Sequence, residues 1–276
     1  MKRNAIARIV VYSLLILILL GILLTGLGIS LYVADTNKEV TQHTVSENTI
    51  PADGVRALEI EWAAGNITIT AADTDYISFS ESGEISEQNQ MVAIQNGDTL
   101  TLRFRRKANH FGISDPAKDL TITVPRDWIC EDLHIEAGAV NIQADELYIR
   151  ELELDLAAVD CIFERCTIGS ADIDAASGRL HFDCSLETME CDAASADISA
   201  ILENVPYSMQ FDSVSGKVDL TLPADAGFSA EVDSLSSGFH SDFDTVFQSG
   251  RYLCGDGACR ISMDGLSGDL TIRRAK

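Results

Sequence analysis

Eight carboxylates recur in this 276-residue chain at a step that settles near 19 residues in the middle and stretches at both ends. Glu61, Glu136, Asp155, Asp174, Asp192, Asp212, Asp233 and Asp264 follow one another at steps of 75, 19, 19, 18, 20, 21 and 31 residues. A column of oxygen donors is the raw material of a hard-cation site, since calcium gathers about six to eight oxygens. The surrounding residues speak against that use. The GGxGxD nonapeptide of calcium-binding solenoids is missing, and so is an EF-hand loop. An acid or serine beside a glycine corner commonly bonds local backbone groups, so the column reads as structural.

The second chemistry-bearing set is sulfur. Seven cysteines (Cys130, Cys161, Cys166, Cys184, Cys191, Cys254 and Cys259) leave at least one thiol outside any intrachain pairing. Cys161 and Cys191 fall at apolar offsets of the repeat, where cysteine acts as a small hydrophobe. Cys166 and Cys184 lie eleven and ten residues after their acids. Stacked turns about 4.8 Å apart would bring that pair within disulfide reach. Cys254 and Cys259 could likewise close a hairpin. A zinc site from Cys166, His181, Cys184 and Cys191 would need tetrahedral convergence, whereas these residues fall on different faces and turns. His43, His110, His134, His181 and His240 are scattered, and no metal site is expected.

Hydrolytic chemistry on sugars would use paired carboxylates beside a cleft. Asp160, Asp197 and Asp269 share an offset five after the acid, but no aromatic or arginine column accompanies them. Aromatics make up only 7% of the chain, too few for a sugar-stacking track. There is no G-x-S-x-G, P-loop or dinucleotide fingerprint. No catalytic residue, cofactor or small-molecule substrate is expected.

The elements that position these residues follow from the same cassette, seen in IDAASGRLHF (173–182), FDSVSGKVDL (211–220) and MDGLSGDLTI (263–272). One residue before the acid stand Ile60, Ile135, Leu154, Ile173, Cys191, Phe211 and Val232. Six after it stand Ile67, Ile142, Cys161, Leu180, Ile198, Val218, Phe239 and Leu270. Alternation with period two on both sides of a small-residue corner predicts two half-buried strands per cassette. Gly65, Gly178, Gly216 and Gly268 share one corner offset, where glycine tolerates a bend. A lone strand pair is marginal in water, but stacked cassettes bury each other's apolar faces. The fold class expected is all-β: a single β-solenoid of stacked strand repeats with atypical ends, preceded by one transmembrane α-helix. A β-sandwich is the runner-up.

Residues 9–33 carry no charge and suffice to cross a bilayer core of about 30 Å. Lys2, Arg3 and Arg8 precede this run and Asp35, Lys38 and Glu39 follow it, which places the amino terminus in the cytoplasm by the positive-inside rule. A cleaved signal peptide is the rival reading, but its apolar core is usually only about 7 to 15 residues. The expected layout is a cytoplasmic start at 1–8, a span at 9–33, a stalk at 34–52 and an external repeat domain at 53–276. With the three leading cations set aside, 17 basic groups face 43 acidic ones. Such a surface repels nucleic acid.

The stretches LTITVPRDWICEDLHIEAGAVNI (120–142), VDLTLPADAGFSAEVDSLSSGF (218–239) and ISMDGLSGDLTIRR (261–274) resemble the bacterial "putative adhesin" β-strand-repeat family. That domain-of-unknown-function family includes LiaG-type membrane-anchored envelope-stress accessory proteins. The resemblance covers roughly 55–274 and rests on structural residues, so it carries over no catalytic position. The richness in cysteine departs from the family pattern. It implies a non-enzymatic cell-envelope protein whose external solenoid binds or scaffolds an envelope protein or cell-wall polymer. The other readings are a carbohydrate-active β-helix enzyme and a self-assembling surface solenoid.

Overall fold

Alternation of buried and more exposed side chains runs through the longer strands of the computed structural model on either side of the corners, as period-two patterning requires. The structure describes residues 43–44, 48–105, 117–236 and 238–276. The expected cytoplasmic start and transmembrane segment lie outside the described residues. Among those described, no helix is long and apolar enough to cross a membrane, and the helical content is one 3-10 segment at Ala52–Gly54.

In chain order the strands begin with β1 (His43–Thr44), β2 (Thr49–Pro51) and the long β3 (Ala57–Ala72). Next come β4 (Tyr76–Gly83), β5 (Val92–Asn96), β6 (Thr99–Arg103) and β7 (Lys118–Pro125). The body is β8 (Ile129–Asp145) and β9 (Tyr148–Leu202), whose 55 residues carry several successive turns. It continues through β10 (Ser208–Ser215), β11 (Lys217–Leu222) and β12 (Phe228–Ser236). The chain closes with β13 (Phe239–Ser241), β14 (Val246–Gln248), β15 (Arg251–Cys254), β16 (Cys259–Ser267) and β17 (Asp269–Arg274).

Pairing in the body is parallel and in register, which is the all-β solenoid expected from the cassette. Glu61 lies beside Glu136, and Glu136 beside Asp155. Further along, Asp192 lies beside Asp212 and Asp212 beside Asp264. Each turn breaks at the corner into two halves whose inward side chains, such as Ile60 and Ile67, join one core. Phe163 and Phe182 stack within it at 5.4 Å.

The two irregular steps of the acid column mark the two ends. Between Glu61 and Glu136 the chain leaves to build a cap, in which β6 and β7 pair parallel with the two halves of β3. There β5 pairs antiparallel with β6, and β4 with β7, so the ladder reverses direction and stops. Strands β1 and β2 add antiparallel to β5 and β4, so folded structure begins before residue 53 and takes in part of the expected stalk. Inside this cap Lys118 Nζ donates to Glu81 Oε2 and to the Asn89 carbonyl, both at 2.7 Å, with no exposed ammonium surface. Trp62 Nε1 donates to the Lys118 carbonyl at 2.7 Å, and the ammonium sits 4.2 Å from the Phe104 ring centre.

The other end departs from a simple succession of turns. Strand β16 pairs in parallel with β10 on one side and β12 on the other, so Asp264 stands between Asp212 and Asp233. Strand β17 is likewise inserted between β11 and β13. The loop-out between residues 233 and 264 holds β14 and β15, and the antiparallel pairs β12–β15 and β14–β15 close this edge as β4 and β5 close the first.

Candidate functional site

Register converts the acid column into a ladder of carboxylates on one outward face. Asp155, Asp192 and Asp212 are half-buried; Glu136, Asp174, Asp233 and Asp264 are more exposed as residues, although their surroundings still keep water from part of the Glu136, Asp174 and Asp264 carboxyls. A second column stands two residues before the first, where Glu59 lies beside His134 and His134 beside Glu153. It continues through Asp172 and Glu190, with Gln210 beside Glu190 and Glu231 at the far end. This second ladder was legible in the sequence, because it repeats the same interval at offset minus two.

The face is short of cations. Arg103 pairs with Glu61, Arg251 with Glu231 at 2.9 Å, and His134 Nε2 lies 3.1 Å from Asp155 Oδ2. Burial, then the neighbouring Asp212 and Asp174, push the Asp192 carboxyl up to about 7. Burial, then Asp212 and Asp233, bring Asp264 to about 6. The Asp192 Oδ1 atom is buried and has no hydrogen-bond partner. Glu136 and Asp174 are raised for the same reasons, burial first and adjacent carboxylates second.

Beside the ladder a groove of about 610 Å³ crosses successive turns. One wall is a hydroxyl row formed by Ser170, Thr188, Ser208 and Ser229, interrupted by Arg260 between the last two. The other wall is Asp172, Glu190, Gln210, Ser262 and Glu231, with Arg251 at its end. Among the described residues the Arg260 side chain has no ion-pair partner. The groove therefore offers donors and acceptors at the strand spacing of about 4.8 Å.

At the corner glycines two constraints act together. Gly178 has φ +147°, and a β-carbon there would collide with the Val159 carbonyl of the adjoining turn. Gly65, Gly216 and Gly268 share this arrangement with Lys118, Ala196 and Gly216. The offset-five aspartates act at the same corner as staples between turns. Asp197 Oδ1 accepts from Lys217 N at 3.0 Å, and Asp269 Oδ1 from Gly238 N at 2.8 Å. Asp160 binds the Arg179 guanidinium, which holds its carboxyl below the usual range. Each of the three is thus engaged by its own partner at the corner.

All seven cysteines are free and buried, so neither pairing expected from spacing is made here. The Cys166 Sγ–H donates to the Glu164 carbonyl at 3.2 Å, and Cys254 Sγ–H to the Ala226 carbonyl at 3.6 Å. Each thiol thus bonds backbone instead of Cys184 or Cys259. Burial pushes Cys166 up to about 11 and Cys184, Cys130 and Cys259 up to about 12, which keeps them protonated and inert.

A family model described as Toastrack DUF4097 matches residues 55–199 and 141–273. No curated protein matches the chain. Among solved structures, a "putative cell adhesion protein" from Clostridium sporogenes is 8% identical, covering 85% of this chain and 99% of its own, with a TM-score of 0.38. A "putative adhesin" from Parabacteroides merdae is 10% identical, covering 86% and 98%, with a TM-score of 0.40. Another from Bacteroides fragilis is 12% identical, covering 87% and 98%, with a TM-score of 0.36.

Proposed function

The chain belongs to the Toastrack DUF4097 family, and from that premise we propose that it is a membrane-anchored, non-enzymatic cell-envelope protein whose external solenoid is a binding surface. The observation that carries the reading is the polar groove beside the acidic ladder. A stack of turns presents regular rows of side chains to an extended partner, and here the hydroxyl, carboxylate and guanidinium groups suit a hydroxyl-rich envelope polymer or an envelope protein. Adhesion, or an accessory role in envelope-stress signalling, is the specific form. The uncharged run at 9–33 after Lys2, Arg3 and Arg8 supports a single span with residues 1–8 inside and the repeat domain outside.

Crosslinking and affinity capture on intact cells test the binding surface, using the full chain against Arg260→Glu with Glu190→Lys. Recovery of a defined envelope component that is lost in the double variant supports the reading. Equal recovery in both sinks the groove as the surface. Reporter fusions at residues 8 and 276 test the span independently, and a cytoplasmic signal at 276 would overturn it. The carbohydrate-active reading keeps one supporting observation, the placement of Asp172, Glu190 and Glu231 in this groove. Release of reducing ends from cell-wall polymer by the purified chain, abolished in Glu190→Gln, would favour that reading.

A further inference from the structure

His134 is the imidazole set within the two carboxylate ladders, and its place there was hidden in a sequence whose histidines are scattered. Register puts Glu153 directly beside it on the next strand and Asp155 two residues further along the same outward face. One ligand atom from each of the three lies within 4.8 Å of the other two. The His134 Nε2 to Asp155 Oδ2 distance, 3.1 Å, is already that of two neighbouring donors on one ion with bonds of about 2.0–2.2 Å. We propose that His134, Glu153 and Asp155 form a divalent metal site, bridging two turns of the solenoid and open to solvent on its remaining side.

The chemistry narrows the ion. One imidazole nitrogen with two carboxylates suits borderline ions such as zinc, manganese, cobalt or nickel. Calcium prefers about six to eight oxygens, more than this face brings together. The nearby carboxylates do not compete equally. Glu59 accepts from Thr101 Oγ1 at 2.7 Å and Glu61 is held by Arg103, whereas Glu153 has no hydrogen-bond or ion-pair partner among the described residues. All three ligands project from paired strands, which fix their relative position better than loops would. The side chains of His134 and Asp155 are 29% and 44% exposed, so an ion can enter and can keep positions for water or for a partner's carboxylate or phosphate.

The inference does not depend on the membrane span or on the groove, so its test stands apart from theirs. The detergent-solubilised full chain, stripped with chelator, is titrated by calorimetry with zinc and with manganese at pH 7.5. Cobalt is added separately and followed by visible absorption. One saturable ion per chain is expected, with cobalt bands that report a nitrogen ligand. His134→Gln should weaken binding by roughly 100-fold, at least the loss seen when an outer-shell partner is removed. Glu153→Gln should weaken it in the same direction, and circular dichroism checks that both variants remain folded. Asp264→Asn, on the same face but distant in the stack, should leave the affinity unchanged. Failure to saturate, or equal affinity in His134→Gln and the parent, would mean diffuse attraction to an acidic face and would overturn the site.

Discussion

Gly178 shows how much a single position can carry in a stack. Its positive φ and the carbonyl of Val159 behind it exclude a side chain for two separate reasons. Gly178→Ala should cost roughly 2–4 kcal/mol, the range of a strained backbone position without relief, read as a lowered urea midpoint at unchanged slope. Asp192 makes a prediction of the opposite kind, because its folded carboxyl sits near 7 against about 4 in an unfolded chain. Between those values the folded state binds more protons than the unfolded one, so stability declines as pH rises through that window. Asp264 acts in the same sense up to about 6. The melting temperature should therefore fall from pH 5 to pH 8, and Asp192→Asn should flatten that fall. A melting temperature that rises over the range would contradict the shared-face origin of these shifts.

The caps, rather than the repeats, are the elements that sequence patterning left unread. The corner glycines and the inward columns were legible because each repeats at one offset, and burial bears out that alternation. The insertion of β16 between β10 and β12 was not, since MDGLSGDL (263–270) and VDSLSSGF (232–239) satisfy the same columns and either fits beside β10. What decides is the antiparallel closure through β15, a contact between segments that share no repeat. His134 beside Glu153 could have been read by adding one 19-residue step, but only once the stack was accepted as parallel and in register. The first cap rests on a buried charge pair, and removing one member of such a pair commonly costs about 3–5 kcal/mol. Glu81→Gln should therefore destabilise the chain by that order, while Lys118→Met with Glu81→Leu should recover much of the loss. Denaturant unfolding of the three proteins checks this, and a single variant as stable as the parent would remove the cap's dependence on the pair.

At the scale of the whole molecule, charge and architecture oppose each other. Like charges on neighbouring turns repel by about 1 kcal/mol in water at close range and by more where water is partly excluded. Salt should thus stabilise the fold, with the melting point rising between 0.01 and about 0.5 M salt as the Debye length shrinks below the rung-to-rung reach. A flat salt response would mean that counterions or bound cations already neutralise the face. The inserted turn has a further consequence, which concerns time rather than space. Residues 228–236 leave the ribosome before residues 251–267, yet β12 pairs with β15 and β16, both of which follow it in the chain. The spatial order of the final rungs is therefore not the order of their manufacture. Either the segment from β12 to β17 assembles as a unit and docks whole, or β12 first occupies the berth beside β10 and later surrenders it. On both routes the strand that flanks β10 on the side away from β9 is made later than β12.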